Sequence, residues 1–131
     1  MTPRELWDER VRIINEHRWA DLPDLYADDA VVEMAFATPE PFRISGRQAL
    51  AERLTAMSQG PIRFEVRDAV VHETADPETI IVEYRYHGTN TATGQTQEIN
   101  NIQLFRSREG KLVETHDYHD HHAIGVLLGR S

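Results

Sequence analysis

A chain of 131 residues, 40% hydrophobic and 27% charged, has the composition of a domain that folds around one core, and it is too apolar for its net charge of −8 to leave it disordered. The 22 acidic residues against 14 basic ones, with no basic run, argue against recognition of a nucleic-acid backbone, and the absence of cysteine removes disulfides, thiolate metal ligands and a cysteine nucleophile. The charged opening Met1-Thr2-Pro3-Arg4-Glu5 carries no signal-peptide core and no stretch has the length of a membrane span, so the expectation is a cytoplasmic protein with neither nucleic-acid nor membrane partners.

The first element is signalled by Thr2, Pro3 and Glu5, a capping box with proline at the first helical position. A helix is predicted from Pro3 to about Arg18. Its periodicity puts Leu6, Trp7, Val11, Ile13 and Ile14 on one arc, and Arg10 and His17 fall inside that arc. Either those two pack their apolar parts and satisfy their polar ends locally, or they are aimed into a cavity. A short helix, Leu22 to Tyr26, is expected to end at Asp28-Asp29, before a strand over Ala30 to Phe36. Pro39 and Pro41 then break structure. Ser45 and Gln48 suggest a second capping box, opening a helix whose Leu50, Leu54 and Met57 recur on one face and which stops at Gly60-Pro61.

The remainder reads as sheet. Ile62 to about His72 alternates, with Ile62, Phe64, Val66 and Val70 on one face, although Asp68 shares their parity. After a turn at Asp76-Pro77, Ile80, Val82, Tyr84 and Tyr86 alternate with Ile81, Glu83, Arg85 and His87. A loop over Gly88 to Gly94 leads to a strand from Gln95 to Arg106, and the turn Arg108-Glu109-Gly110 leads to a last strand from Lys111 to about His121. Helix, short helix, strand, helix and a four-strand meander make an α+β fold. The apolar tail Ala123 to Leu128 is expected to pack on a pocket mouth or a partner subunit.

Three strings carry a resemblance: Leu25-Tyr26-Ala27-Asp28-Asp29-Ala30-Val31, Ile44-Ser45-Gly46-Arg47 and Glu109-Gly110-Lys111-Leu112. In their order the chain resembles the nuclear-transport-factor-2-like superfamily, in its SnoaL-like and ketosteroid-isomerase-like branch. The resemblance implies one domain over residues 1–131, a cone-shaped barrel whose curved, mixed or antiparallel sheet wraps a pocket covered by three N-terminal helices. It also implies a homodimer through the outer face of the sheet, where Glu83, Arg85, Glu114 and Asp120 are expected. Members isomerise, cyclise, hydrolyse epoxides, dehydrate or merely bind, so the fold does not name the reaction.

The segment Thr115-His116-Asp117-Tyr118-His119-Asp120 is similar to the last strand of limonene-epoxide-hydrolase-like and, above all, phenazine-biosynthesis A/B-like proteins. That similarity implies that Asp117 points into the pocket as acid or base. Two departures count against other members. Met34 and Arg10 stand where ketosteroid isomerases carry their base and their oxyanion tyrosine, and Asn101 and Gln103 stand where epoxide hydrolases place an Arg and an Asp.

Strand alternation puts Val113, Thr115, Asp117 and His119 on one face of the last strand. A carboxyl walled by Trp7, Met34, Phe36, Val82, Tyr84 and Tyr86 should lose hydration and titrate above its ordinary ~3.9. His119 is the candidate complementary acid or base. Tyr26, Tyr84 and Tyr86 offer hydroxyls, Asn101 and Gln103 amides, and His17 and Thr115 complete the expected lining. Arg10 would either bind an anionic substrate or enolate, or pair with Asp117. Asp117, His119 and His121 share a face, but their spacing matches no ligand motif, so no metal or other cofactor is expected, and His121 and His122 are expected in solvent. The reading is a cofactor-independent general acid/base enzyme of the isomerase, cyclase or dehydratase type. Its substrate would be a small, largely apolar carbonyl-bearing or cyclic metabolite, with Asp117 as proton shuttle. The alternative is a non-catalytic ligand-binding or accessory protein of the same fold.

Overall fold

The computed structural model describes residues 1–129. Helix α1 (Pro3–Asn15) and a 3-10 helix (Trp19–Leu25) precede β1 (Tyr26–Met34), β2 (Phe42–Ser45) and α2 (Arg47–Ser58). The long strands β3 (Ile62–Glu73), β4 (Thr79–Asn90), β5 (Thr96–Arg108) and β6 (Lys111–His119) follow, and α3 (His121–Leu127) closes the order. The six strands form one curved sheet in the order β2-β1-β6-β5-β4-β3, with its two ends unpaired, so the cone is open rather than a closed barrel. All neighbours run antiparallel except β1 and β6, which are parallel. The expected meander of four strands is therefore present, and the chain is α+β.

Helix α1 begins as its sequence predicts. Thr2 Oγ1 accepts from the Glu5 amide at 3.1 Å, and Glu5 Oε1 accepts from the Thr2 amide at 2.9 Å. It ends at Asn15 rather than Arg18 because His17 takes a left-handed conformation, with φ of 56°. The helix lies on the concave face. Trp7 meets the rings of Tyr84 and Phe105 at 5.0 and 5.5 Å, and Leu6, Ile13 and Ile14 are buried beside Ile99 and Leu112.

Further expectations about local structure are corrected. The strand expected from Ala30 starts earlier, at Tyr26, so Asp28 and Asp29 lie within it, and it ends at Met34 before Phe36. Strand β2 went unseen behind Pro39 and Pro41; it pairs with β1 through Val32 opposite Ile44. Ser45 therefore belongs to a strand, and the cap of α2 is Gly46, whose φ of 91° suits glycine, with no capping box formed. In β3 a bulge between Arg67 and Val70, with Asp68 at φ 57°, reverses the parity. Val70 turns to solvent and Val71 packs on the core instead.

At the far end β4 continues through Gly88 to Asn90, where a loop was expected. Gly88 is needed there because a Cβ would lie 2.7 Å from Leu127 Cδ2. Strand β6 stops at His119, and Asp120 accepts from the Ala123 amide at 3.1 Å to open α3. Asp120 is thus a helix cap, and it also borders the outer-face groove that Glu83 and Arg85 line. The apolar tail packs as α3, with Leu127 fully buried. Among the described residues no helix is long and apolar enough to cross a membrane.

Candidate active site

The concave face of the sheet, roofed by α1, the 3-10 helix, α2 and α3, leaves a cavity of about 430 Å³. Its wall is mostly apolar: Leu22, Val32, Met34, Ile44, Leu50, Leu54, Phe64 and Ile124 line it. The polar groups that reach it from the sheet and α1 are Arg10, Tyr26, Tyr86, Asp117 and His119, joined by His121 from the start of α3. Cross-strand register brings the sheet residues together. Asp117 stands opposite Gln103, His119 opposite Asn101, and Tyr84 opposite Asn101 on its other side.

Asp117 is 4% exposed, and Arg10 is 6% exposed. Burial pushes the Asp117 carboxyl up, but His119, then Arg10 and Gln103, outweigh that effect and hold it below its ordinary value of 3.8. The expectation of a raised value is overturned because it counted the apolar walls and not the cations and amide in the pocket. His119 Nε2 lies 3.8 Å from Asp117 Oδ2, an ion-pair distance rather than a hydrogen bond. Asp117 Oδ1 has no hydrogen-bond partner at all.

Arg10 and Asp117 form no direct ion pair. Arg10 Nη1 instead donates to Tyr26 Oη at 3.0 Å, and the guanidinium lies over the Phe105 ring at 5.6 Å. Burial works against the Arg10 charge, but the surrounding Tyr26, Tyr86, Tyr84 and Asp117 more than compensate, and Arg10 titrates above its ordinary range. Burial also raises the Tyr26 phenol despite Arg10 and raises Tyr84 further, so both are neutral at physiological pH and Asp117 is the counter-charge. Because Tyr26 Oη accepts from Arg10, its own proton is free for a ligand oxygen.

His119 is oriented from behind. Asn101 Nδ2 donates to the Ile99 carbonyl at 3.2 Å, which turns Asn101 Oδ1 toward His119 Nδ1 at 2.7 Å. With Nδ1 donating to that oxygen, Nε2 is the nitrogen presented to Asp117. Gln103 is held similarly: its Oε1 accepts from Tyr84 Oη, which leaves Nε2 unpartnered beside Asp117. Asn101 therefore positions His119, and Gln103 keeps a free amide beside Asp117; neither lines the cavity, where donors to a ligand were expected.

Several expected lining residues lie elsewhere. Trp7, Val82 and Tyr84 are core side chains behind the cavity, because α1 packs directly on the middle of β4. Thr115 is fully buried behind it as well, with Oγ1 unpartnered. His17 accepts from Trp19 Nε1 at 3.0 Å and contacts the Ser58 carbonyl, outside the cavity. Phe36 is 65% exposed on the opposite face of the sheet, where it meets Tyr118 at 5.2 Å, since β1 has already ended.

His121, expected in solvent, lines the cavity instead. Its ring stands 5.8 Å from that of His119, its Nε2 is buried without a partner, and burial followed by the neighbouring His119 lowers its titration. The signal was Asp120 as a helix cap, which lifts the next residue off the strand and folds it back over the pocket. Apart from Arg85 Nε, every buried side-chain atom without a partner belongs to this region: Arg10 Nε, Gln103 Nε2, Thr115 Oγ1, Asp117 Oδ1 and His121 Nε2. Of these residues Arg10, Asp117 and His121 line the cavity; each unmet group costs about 1–3 kcal/mol when dry, so a polar ligand atom placed beside those three recovers energy that folding did not. Among the described residues, no three of His, Cys, Asp and Glu gather closely enough to hold a metal ion.

The comparisons agree with this architecture. An uncharacterised PhzA/B-like protein of Pseudomonas aeruginosa is 25% identical over 120 residues, covering 90% of this chain and 84% of that protein. A candidate isomerase from Bacillus subtilis superposes with a TM-score of 0.88 at 23% identity, over 97% of this chain and 92% of its own. A ketosteroid-isomerase-like fold from Catenulispora acidiphila, solved with trimethylamine, gives a TM-score of 0.80 at 15% identity, over 100% of this chain and 96% of its own. These solved structures share the fold. The model of the SnoaL-like domain matches residues 7–115, which contain every polar group of the cavity except Asp117, His119 and His121, and the chain belongs to the SnoaL-like domain family.

Proposed function

We propose that this protein is a cofactor-independent general acid/base enzyme acting on a small, largely apolar carbonyl-bearing or cyclic metabolite, by isomerisation, cyclisation or dehydration. The observation that carries this reading is Asp117: a buried carboxylate, held ionised, with one oxygen unpartnered at the wall of an apolar cavity. A protein does not gain stability from such an oxygen, whereas a proton-abstracting base needs it. Asp117 takes a proton from an acidified C–H next to a carbonyl. Tyr26, polarised by Arg10, donates to the carbonyl oxygen as negative charge develops on it. His119, held by Asn101, returns a proton or retains charge balance beside Asp117. The membership of the chain in the SnoaL-like domain family, together with its likeness in fold to a candidate isomerase, supports a ligand-binding, chemistry-capable cavity.

The reaction class is tested without knowing the natural substrate. Solvent deuterium exchange into cyclohexanone, followed by NMR, should be accelerated by the wild-type protein. Asp117→Asn should lower that acceleration by about 10²–10⁴-fold while the fold persists by circular dichroism. Exchange that is equally fast with Asp117→Asn rules out Asp117 as the base; absence of any acceleration favours a binding protein.

A further inference from the structure

We infer that the cavity takes an amphipathic anion, whose carboxylate or similar head group is held at the mouth by Arg53 while its apolar body extends toward Asp117. Arg53 lies on α2, is exposed, and still lines the cavity, so its guanidinium stands at the opening. It sits over the ring of Phe42, 4.2 Å from the centroid, and Phe42 lines the cavity too. That stacking fixes the planar group beside the apolar wall without using its in-plane N–H donors.

The charge distribution makes this position stand out. Acidic residues outnumber basic ones by 22 to 14, and most described arginines are paired with one: Arg12 with Glu9, Arg18 with Asp21, Arg43 with Glu33, Arg47 with Asp28, Arg85 with Asp68 and Arg106 with Glu114 among them. The two arginines of the cavity, Arg10 and Arg53, make no ion pair among the described residues. Of these, Arg10 is answered from within the pocket by Asp117. Arg53 is left as an unneutralised cation beside Leu50 and Leu54. The wall between it and the buried polar end is apolar, with Leu22, Ile44 and Leu50 along it. A ligand with one anionic end and one hydrocarbon body matches both features, and neither a neutral hydrocarbon nor a fully polar anion does.

This deepens the acid/base reading and rests on it only for what happens to the bound molecule; the binding is a separate claim. It is tested by calorimetric titration with n-octanoate and with 1-octanol at neutral pH. The wild-type protein should bind octanoate about tenfold more tightly than octanol, as one charge-assisted contact at a partly exposed site allows. Arg53→Gln should abolish that preference and leave octanol affinity unchanged. Arg4→Gln removes an equal charge from an arginine that neither lines the cavity nor joins an ion pair, and should leave the preference intact. Equal affinities in the wild type, no measurable octanoate binding, or a preference that survives Arg53→Gln overturns the inference. Deuterium exchange into cyclohexanone, which has no anionic end, is followed in parallel and should be unaffected by Arg4→Gln. A failed exchange assay with the octanoate preference intact therefore rejects the chemistry and keeps the anion site, and the converse result does the opposite.

Discussion

The buried charges can be tested against each other. Arg10→Met removes a guanidinium that is 6% exposed, together with its hydrogen bond to Tyr26. Such a loss costs about 3–5 kcal/mol, because it also leaves the Asp117 carboxylate without a counter-charge. Asp117→Asn leaves Arg10 in the mirror situation and should cost about 2–3 kcal/mol. The two groups are not in contact, so their coupling is through space. At an effective dielectric of about 20, Coulomb's law gives about 2–3 kcal/mol for unit charges roughly 5–8 Å apart. The double variant should therefore be more stable than the sum of the single losses predicts, by about that amount. Urea unfolding at neutral pH measures all three. A second check lies in acid. The Asp117 carboxyl titrates lower when folded, so its contribution is present above the unfolded value of ~3.9 and is lost as pH falls through the lower folded value. The stability gap between wild type and Asp117→Asn should shrink below pH 3.8, and in the Arg10→Met background it should be smaller throughout. Additivity of the two losses within about 0.5 kcal/mol would refute the idea that Arg10 holds the carboxylate ionised.

Other expectations concern packing, orientation and assembly. Gly88→Ala pushes a methyl group to within 2.7 Å of Leu127 Cδ2; it should destabilise by about 1–2 kcal/mol and speed amide exchange in α3 above that of the sheet. Asn101→Ala removes the acceptor for His119 Nδ1; the ¹⁵N signature of a hydrogen-bonded, protonated Nδ1 should be lost from His119, and its retention would show that Asn101 does not fix that proton. We propose that the convex-face row of exposed Phe36, Ile102 and Val70 with half-buried Tyr118 is covered by a second copy, since Tyr118 packs on Phe36 with tilted rings and pairs in register with Ile102. Light scattering should then give a dimer for the wild type and a monomer for Ile102→Glu, and a monomeric wild type would dispose of the proposal.

What could be foreseen divides along physical lines. Periodicity and caps are local, and they placed α1 with its capping box, the meander β3 to β6, and Asp117 and His119 on one face of the last strand; that this face is the concave one came from the family resemblance alone. Parity fails wherever one residue is inserted: the bulge at Asp68 exchanged Val70 for Val71, and its one local trace was the charged Asp68 standing at the parity of the apolar face. Phe36 was misplaced for a similar reason, since alternation was carried two residues past the end of the strand. Strand β2 is only four residues long and gains its hydrogen bonds from β1, so its existence is tertiary. The direction of the Asp117 titration was also out of reach. It depends on which polar groups converge on the carboxyl, and Gln103, His119 and Arg10 come from three different elements.

A low-titrating carboxylate is at first sight a poor choice for removing a proton from carbon, since base strength falls with pKa. The pocket resolves this through the position of Arg10. Before proton transfer the negative charge sits on Asp117; afterwards Asp117 is neutral and the charge sits on the ligand oxygen, next to Tyr26 and the same guanidinium. The charge moves from one neighbour of Arg10 to another, so the net charge of the buried site is unchanged through the step. The low-dielectric wall, which would penalise creating a new charge, then costs little. What stabilised the carboxylate becomes available to the enolate, because the donors are already in place and need not reorganise. On this account weakening Arg10 makes Asp117 a stronger base in the resting site and a slower catalyst, and a faster Arg10→Met enzyme would contradict it.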